Sequence, residues 1–121
     1  MKVSELKPEM KKVGLTVKVE EVGKPREVVT REDGMFHKVA DILVGDETAS
    51  VFLSVWDEKI ESLKAGRYFR VSNAYATVYK NSLMLSLGKY GKIEEITEEE
   101  PKFEVNTANN LSLRELGSGW P

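Results

Sequence analysis

Residues 50–66 read SVFLSVWDEKIESLKAG, a strand pattern that passes directly into a short helix pattern. In the strand, Val51, Leu53 and Val55 share one parity, so one face is apolar and faces a core. The helix pattern begins at Asp57, which is placed to cap its start, and ends at Gly66. This junction of a strand with a short helix is the reference point from which the elements on either side are predicted.

Alternating patterns on both sides of this stretch predict four further strands, over residues 12–20, 35–44, 67–79 and 82–87. The first bends at Gly23-Lys24-Pro25, and an extended pattern resumes over residues 26–30. Five strands with a short helix between the third and fourth is the order of the OB-fold. The chain is therefore predicted to be all-β, a five-stranded OB-fold Greek-key barrel.

Composition narrows the class of protein. The chain has 121 residues, enough for one domain, with 40% hydrophobic residues, 31% charged residues and no cysteine. No run approaches the roughly 18 apolar residues that cross a bilayer. His37 is the single histidine, and no nucleophile motif, metal-ligand cluster or phosphate loop accompanies it. We expect a non-enzymatic, soluble, cytoplasmic protein without a cofactor or metal, and with His37 on a strand surface.

Charge divides the chain into two parts. Residues 1–96 hold 16 Lys or Arg against 15 Asp or Glu, whereas residues 97–121 hold two against five. We therefore predict a nearly neutral domain over residues 1–96 and an acidic, flexible tail over residues 97–121. An alternative for the amphipathic residues 111–116 is that they pack back on the barrel or bind a partner. Electrostatics alone does not indicate nucleic acid.

Three aromatic residues are predicted on one outer face. The core parity of the third strand turns Trp56 outward, although packing beneath the helix is an alternative. In the fourth strand the apolar parity flips near Ser72-Asn73, as at a β-bulge, and this places Tyr75 and Tyr79 outside. Unpaired bases stack on such rings with about 1–3 kcal/mol each. The pattern therefore favours single-stranded nucleic acid as the ligand.

Several cations are candidates for phosphate contacts beside these rings. Lys80 follows Tyr79 in a turn, and Arg31 lies in the turn before the second strand. Further candidates are Arg26, Lys38 and Lys89, and for each cation the alternative is a solvated surface charge. Tyr90 is either a further platform or an aromatic that closes the barrel.

Four stretches carry a resemblance to a known family. They are Leu6-Lys7-Pro8, Val44-Gly45-Asp46-Glu47-Thr48, Lys38-Val39-Ala40-Asp41 with Ser54-Val55-Trp56-Asp57, and Asn73-Ala74-Tyr75 running to Tyr79-Lys80. Over residues 1–96 the chain resembles the archaeal single-OB-fold single-stranded DNA-binding proteins, which are related to human single-stranded DNA-binding protein and replication protein A. The resemblance implies stacking on Trp56, Tyr75 and Tyr79, whereas Ser86 stands where human members carry a further aromatic.

The expected function is sequence-independent binding of single-stranded DNA during replication, repair or recombination. In this family the acidic tail binds partners, so replication or repair proteins are the expected partners of residues 97–121. Two alternatives remain at this point. Stacking does not distinguish the sugars, so an RNA-binding module is one, and a protein-interaction OB subunit of a DNA-maintenance complex is the other.

Overall fold

Seven strands form one sheet in the computed structural model, which describes residues 1–88, 90–97 and 103–113. The strands pair in the order β1-β3-β4-β6-β5-β7, with β2 beside β3, and a further pairing of β1 with β5 closes the sheet on itself. Their bounds are β1 Val13–Val22, β2 Arg26–Val29, β3 Phe36–Gly45, β4 Ser50–Trp56, β5 Tyr68–Tyr79, β6 Ser82–Ser86 and β7 Lys92–Glu95.

The predicted strand order is confirmed. The five predicted strands correspond to β1, β3, β4, β5 and β6, and the helix α1 lies between β4 and β5. The continuation over residues 26–30 is the separate strand β2, which forms a hairpin with β3. Strand β7 pairs with β5 and was not predicted, because residues 92–95 show one apolar side chain among charged ones.

The bulge in β5 is also confirmed. Val13 of β1 pairs with Ala74 and Leu15 pairs with Val71, so β5 holds one more residue than β1 between these pairs. Asn73 has a φ of 53°, a left-handed conformation that asparagine tolerates. Because of the extra residue, each later side chain of β5 points to the face opposite to the one that uninterrupted alternation would give it.

The helix α1 is shorter than predicted and is not capped by Asp57. It spans Lys59–Ser62, and its N-cap residue Glu58 makes no side-chain capping bond. The Asp57 carboxylate instead accepts a hydrogen bond from the Lys38 backbone N–H at 3.0 Å. Asp57 has a φ of 52°, outside the extended region that a capping residue normally adopts.

Residues 103–113 pack against the closed sheet. The Asn109 carbonyl accepts a hydrogen bond from the Ser50 N–H at 3.0 Å, and Ser112 Oγ accepts one from the Phe52 N–H at 2.9 Å. Leu111 is 1% exposed and belongs to the core. For residues 111–113 the structure corresponds to the alternative in which this segment packs back on the barrel, whereas residues 114–116 lie outside the described residues. The domain boundary at residue 96 stays a prediction.

The core is formed by the inward faces of β1, β3, β4, β5 and β6, together with Ile60 of α1 and Leu63 directly after it. In the part of the chain that the structure describes, no helix is long and apolar enough to span a membrane.

Candidate nucleic-acid interface

Trp56 and Tyr75 open onto the same groove. Ser86 of β6 pairs with both Ser54 of β4 and Tyr75 of β5, so three neighbouring strands form the groove floor. The groove has a volume of about 660 Å³, and its walls are residues 30–33, 57–59 and 87–88. Trp56 is 41% exposed and Tyr75 is 39% exposed. Two partly exposed rings thus face the same groove.

The Tyr75 ring rests on the backbone of Gly88. A Cβ atom built on Gly88 would lie 2.6 Å from Tyr75 Cε1, closer than two carbon atoms can approach without one moving. Gly88 also has a φ of 60°, which glycine adopts without steric cost. The bulge at Asn73 turns Tyr75 outward, and Gly88 leaves the space in which its ring lies.

Tyr79 lies on the same face of β5 but beyond this groove. Four residues along a strand correspond to about 13 Å, so Tyr79 extends the row of rings rather than facing Trp56. Its ring is exposed, and Lys80 Nζ lies 5.5 Å from the ring centroid. This distance is that of a cation–π contact and places a positive charge beside the ring.

His37 bridges two walls of the groove. Its Nδ1 lies 2.8 Å from Asp57 Oδ2, and its Nε2 lies 2.9 Å from Asp33 Oδ2. Ionised carboxylates only accept hydrogen bonds, so both ring nitrogens must donate, and the imidazole is protonated in this arrangement. The ring also meets Trp56 edge to face, with centroids 6.2 Å apart and planes at 69°. The turn before β3 is thereby tied to the start of α1 beside Trp56.

Hydrogen bonding sets the charges of this bridge. The bonds to Asp57 and then to Asp33 raise the pKa of His37 above its usual 6.5. Thr30, the Met35 N–H and then His37 lower the pKa of Asp33 to about 2. The Lys38 N–H and then His37 lower the pKa of Asp57. These shifts all favour two ionised carboxylates with a protonated imidazole between them.

The groove beside Trp56 carries more negative than positive side chains. Arg31 and Lys59 line it. Four carboxylates line it as well, those of Glu32, Asp33, Asp57 and Glu58. A phosphate backbone gains little here from electrostatics, so the rings are the features of this groove that favour a nucleic acid.

Two of the other predicted cations lie elsewhere. Arg26 Nη1 is 3.3 Å from Asp41 Oδ2 and forms an ion pair with it. Lys38 stands opposite Glu27 in the β2–β3 hairpin. Neither residue lines the groove beside Trp56. Lys89 lies outside the described residues, and the phosphate-binding roles of all these cations stay predictions.

The family follows from a comparison with known proteins. Residues 6–95 match the family described as single-stranded DNA binding protein Ssb-like, OB fold. The chain belongs to this family. It is 35% identical over 98 residues to the single-stranded DNA binding protein Ssb of Saccharolobus solfataricus, an alignment that covers 81% of this chain. The chain spans 65% of the length of that relative.

Solved structures support the same fold for this Ssb-like chain. The solution structure of a hypothetical protein from Arabidopsis thaliana superposes with a TM-score of 0.80 at 28% identity, covering 100% of this chain and 88% of the other. The second OB-fold domain of replication protein A from Methanococcus maripaludis superposes with a TM-score of 0.65 at 24% identity, covering 84% of this chain and 98% of that domain. The predicted OB-fold is therefore confirmed.

Three features of this Ssb-like groove were missed from the sequence. Lys59 lines the groove and was not among the predicted cations. The available signal was its short distance in sequence from Trp56, which it follows by three residues. His37 was expected only as a strand-surface residue, and its ion pair with Asp33 was missed. The spacing of four residues across a turn was the available signal for this pair. The contact of His37 with Asp57 joins residues 20 positions apart, and no local pattern indicates it. Among the described residues no group of three or more His, Cys, Asp or Glu side chains is placed to hold a metal ion.

Proposed function

We propose that this protein binds single-stranded DNA largely without sequence preference, and that it does so by stacking unpaired bases on Trp56 and Tyr75. The observation that carries the proposal is the common groove of these two rings in a chain of the Ssb-like family. Tyr79 serves as the third platform, farther along β5. Such binding would protect single strands exposed in replication, repair or recombination.

Stacking supplies most of the affinity in this proposal. Each base contributes about 1–3 kcal/mol on an aromatic platform, and the identity of the base matters little. The carboxylates that line the groove leave little room for a large phosphate contribution. We therefore infer a shallow dependence of affinity on salt, since that dependence scales with the number of phosphates neutralised.

The test uses the fluorescence of Trp56. The chain has two tryptophans, so a Trp120→Phe background leaves Trp56 as the single reporter. We expect oligo(dT) of about 12 nucleotides to quench this fluorescence at micromolar protein, while duplex DNA of that length does not. Unchanged fluorescence with excess oligo(dT) would contradict the proposal. Oligo(U) in the same assay distinguishes DNA from RNA as the preferred ligand.

Tyr75→Ala in that background tests the role of the ring. Loss of one platform is expected to weaken oligo(dT) binding about tenfold, equivalent to about 1.4 kcal/mol. The matched control is Phe36→Ala, which removes an exposed aromatic ring that does not line the groove. Equal affinities for the two variants would show that Tyr75 is not a platform.

A further inference from the structure

A second concave surface lies on the other side of Tyr75. It has a volume of about 420 Å³ and is lined by Lys11, Lys12, Asn73, Ala74, Tyr75, Leu87 and Tyr90, and we call it the Tyr90 surface. Tyr75 and Leu87 line both this surface and the groove beside Trp56. A ligand that passes over Tyr75 therefore reaches the Tyr90 surface without crossing another part of the molecule.

Tyr90 presents its ring to solvent. The residue is 70% exposed, which is incompatible with an aromatic that closes the end of a barrel. Asn73 Nδ2 donates to the Tyr90 carbonyl at 3.5 Å, so the bulge residue of β5 contacts the segment that carries the ring. One irregularity in β5 thus turns Tyr75 outward and also meets the backbone of Tyr90.

Two lysines on a fixed segment line the same surface as this ring. The Met10 carbonyl accepts a hydrogen bond from the Ala76 N–H at 2.9 Å, and the Ala76 carbonyl accepts one from the Glu9 N–H at 2.9 Å. These bonds hold the chain before β1 along β5, and they place Lys11 and Lys12 on the Tyr90 surface.

Charge distinguishes the two surfaces. The groove beside Trp56 is lined by four carboxylates against Arg31, Lys59 and His37. The described lining of the Tyr90 surface includes Lys11 and Lys12 and no carboxylate. A negatively charged phosphate is therefore favoured on the Tyr90 side of Tyr75, outside the acidic groove beside Trp56.

We propose that the Tyr90 surface binds a further nucleotide of the same single strand, with its base stacked on Tyr90 and its phosphates neutralised by Lys11 and Lys12. The inference rests on the proposed function of the groove beside Trp56. It assigns the strand a path from Trp56 over Tyr75 to Tyr90, and it locates the main phosphate contacts outside the groove that holds the first two rings.

The test compares two lengths of oligo(dT) in the Trp120→Phe background. An oligonucleotide of about 4 nucleotides occupies the groove beside Trp56, where two rings are available, whereas one of about 12 also reaches the Tyr90 surface. We expect Tyr90→Leu to leave the affinity for the short oligonucleotide unchanged and to weaken binding of the long one about tenfold. Tyr90→Phe keeps a ring and is expected to bind both like the unsubstituted protein.

Lys11→Ala with Lys12→Ala tests the phosphate contacts separately. Each phosphate of a single strand that the protein neutralises contributes about 0.7 to the slope of log affinity against log salt. Loss of both lysines should therefore reduce the magnitude of this slope for the long oligonucleotide by about 1.4. The matched control is Lys24→Ala with Lys64→Ala, which removes two exposed lysines that line neither surface. That control should leave the slope unchanged.

The outcomes separate the inference from the function on which it rests. If neither oligonucleotide binds the unsubstituted protein, the proposed function fails. If both bind and Tyr90→Leu matches Tyr90→Phe on the long one, the Tyr90 surface is not a binding site and the proposed function stands. If Tyr90→Leu weakens the short and the long oligonucleotide equally, the residue acts through Tyr75 and the separate site is overturned.

Discussion

Trp56 lies where the sequence parity of its strand places it, but its surroundings come from distant parts of the chain. Alternation with Val51, Leu53 and Val55 was enough to predict an outward side chain, and the ring lines a groove rather than packing beneath α1. The edge-to-face contact with His37 depends on the pairing of β3 with β4, in which Val39 stands opposite Trp56. A local pattern therefore predicts the direction of a side chain, whereas the groups that support it depend on tertiary pairing.

At the residue scale, the His37 bridge predicts a pH dependence of binding. Because the folded-state pKa of His37 lies above 6.5, the bridge is fully formed below that pH and is lost as the pH rises through the raised pKa. Asp33, with a pKa of about 2, stays ionised throughout that range. We expect the affinity for oligo(dT) to fall by a few-fold as the bridge opens, because the turn that carries Arg31 is then released.

Nuclear magnetic resonance checks this directly, because the chain contains one histidine. The imidazole of His37 should titrate with a pKa above 6.5, and Asp57→Asn should lower that pKa. His37→Gln should bind oligo(dT) without the pH dependence of the unsubstituted protein. An imidazole pKa at or below 6.5 would show that the bridge does not form in solution.

At the element scale, β5 illustrates what a sequence predicts and what it does not. The apolar set was predicted to switch from Phe69 and Val71 to Ala74, Ala76 and Val78, which located the bulge to within a residue, although Val78 is 44% exposed. The position of Asn73 beside Tyr90 was not predictable, because it depends on how the chain after β6 returns. Parity is a property of consecutive residues, whereas the approach of two segments depends on the closure of the whole sheet.

The contact between β5 and the turn after β6 predicts the effect of Gly88→Ala. The new Cβ would lie 2.6 Å from Tyr75 Cε1, so the ring must move, and a φ of 60° is unfavourable for alanine. We expect a stability loss of about 1 kcal/mol and a several-fold weaker affinity for oligo(dT). Urea unfolding measures the stability, and quenching of Trp56 fluorescence by oligo(dT) measures the affinity.

Gly66→Ala is the matched control for this substitution. Gly66 has a φ of 88°, and nothing lies within 4 Å of its added Cβ. The control therefore carries the backbone cost without the contact with Tyr75. We expect it to lower stability and to leave DNA binding unchanged. If both variants bind oligo(dT) equally well, the position of the Tyr75 ring does not depend on Gly88.

At the scale of the whole molecule, residues 103–113 complete the closed sheet. Strands β4 and β6 pair only from Phe52 with Met84 to Ser54 with Ser86. Where that pairing stops, Ser112 Oγ bridges the strands by accepting from the Phe52 N–H and donating to the Leu83 carbonyl. The acidic and polar composition of residues 97–121 predicted a flexible tail, whereas the amphipathic pattern of residues 111–116 was the signal for the alternative in which they pack back.

The packing of Leu111 predicts the stability of the whole domain. Leu111 is 1% exposed in the core, whereas Leu113, two residues later, is 74% exposed. Leu111→Ala should lower the free energy of unfolding by about 3 kcal/mol, since it leaves a cavity among buried side chains. Leu113→Ala should change it by less than about 0.5 kcal/mol, because an exposed side chain loses little packing. Urea unfolding of both variants measures the difference, and equal midpoints would show that residues 103–113 do not hold the closed sheet together.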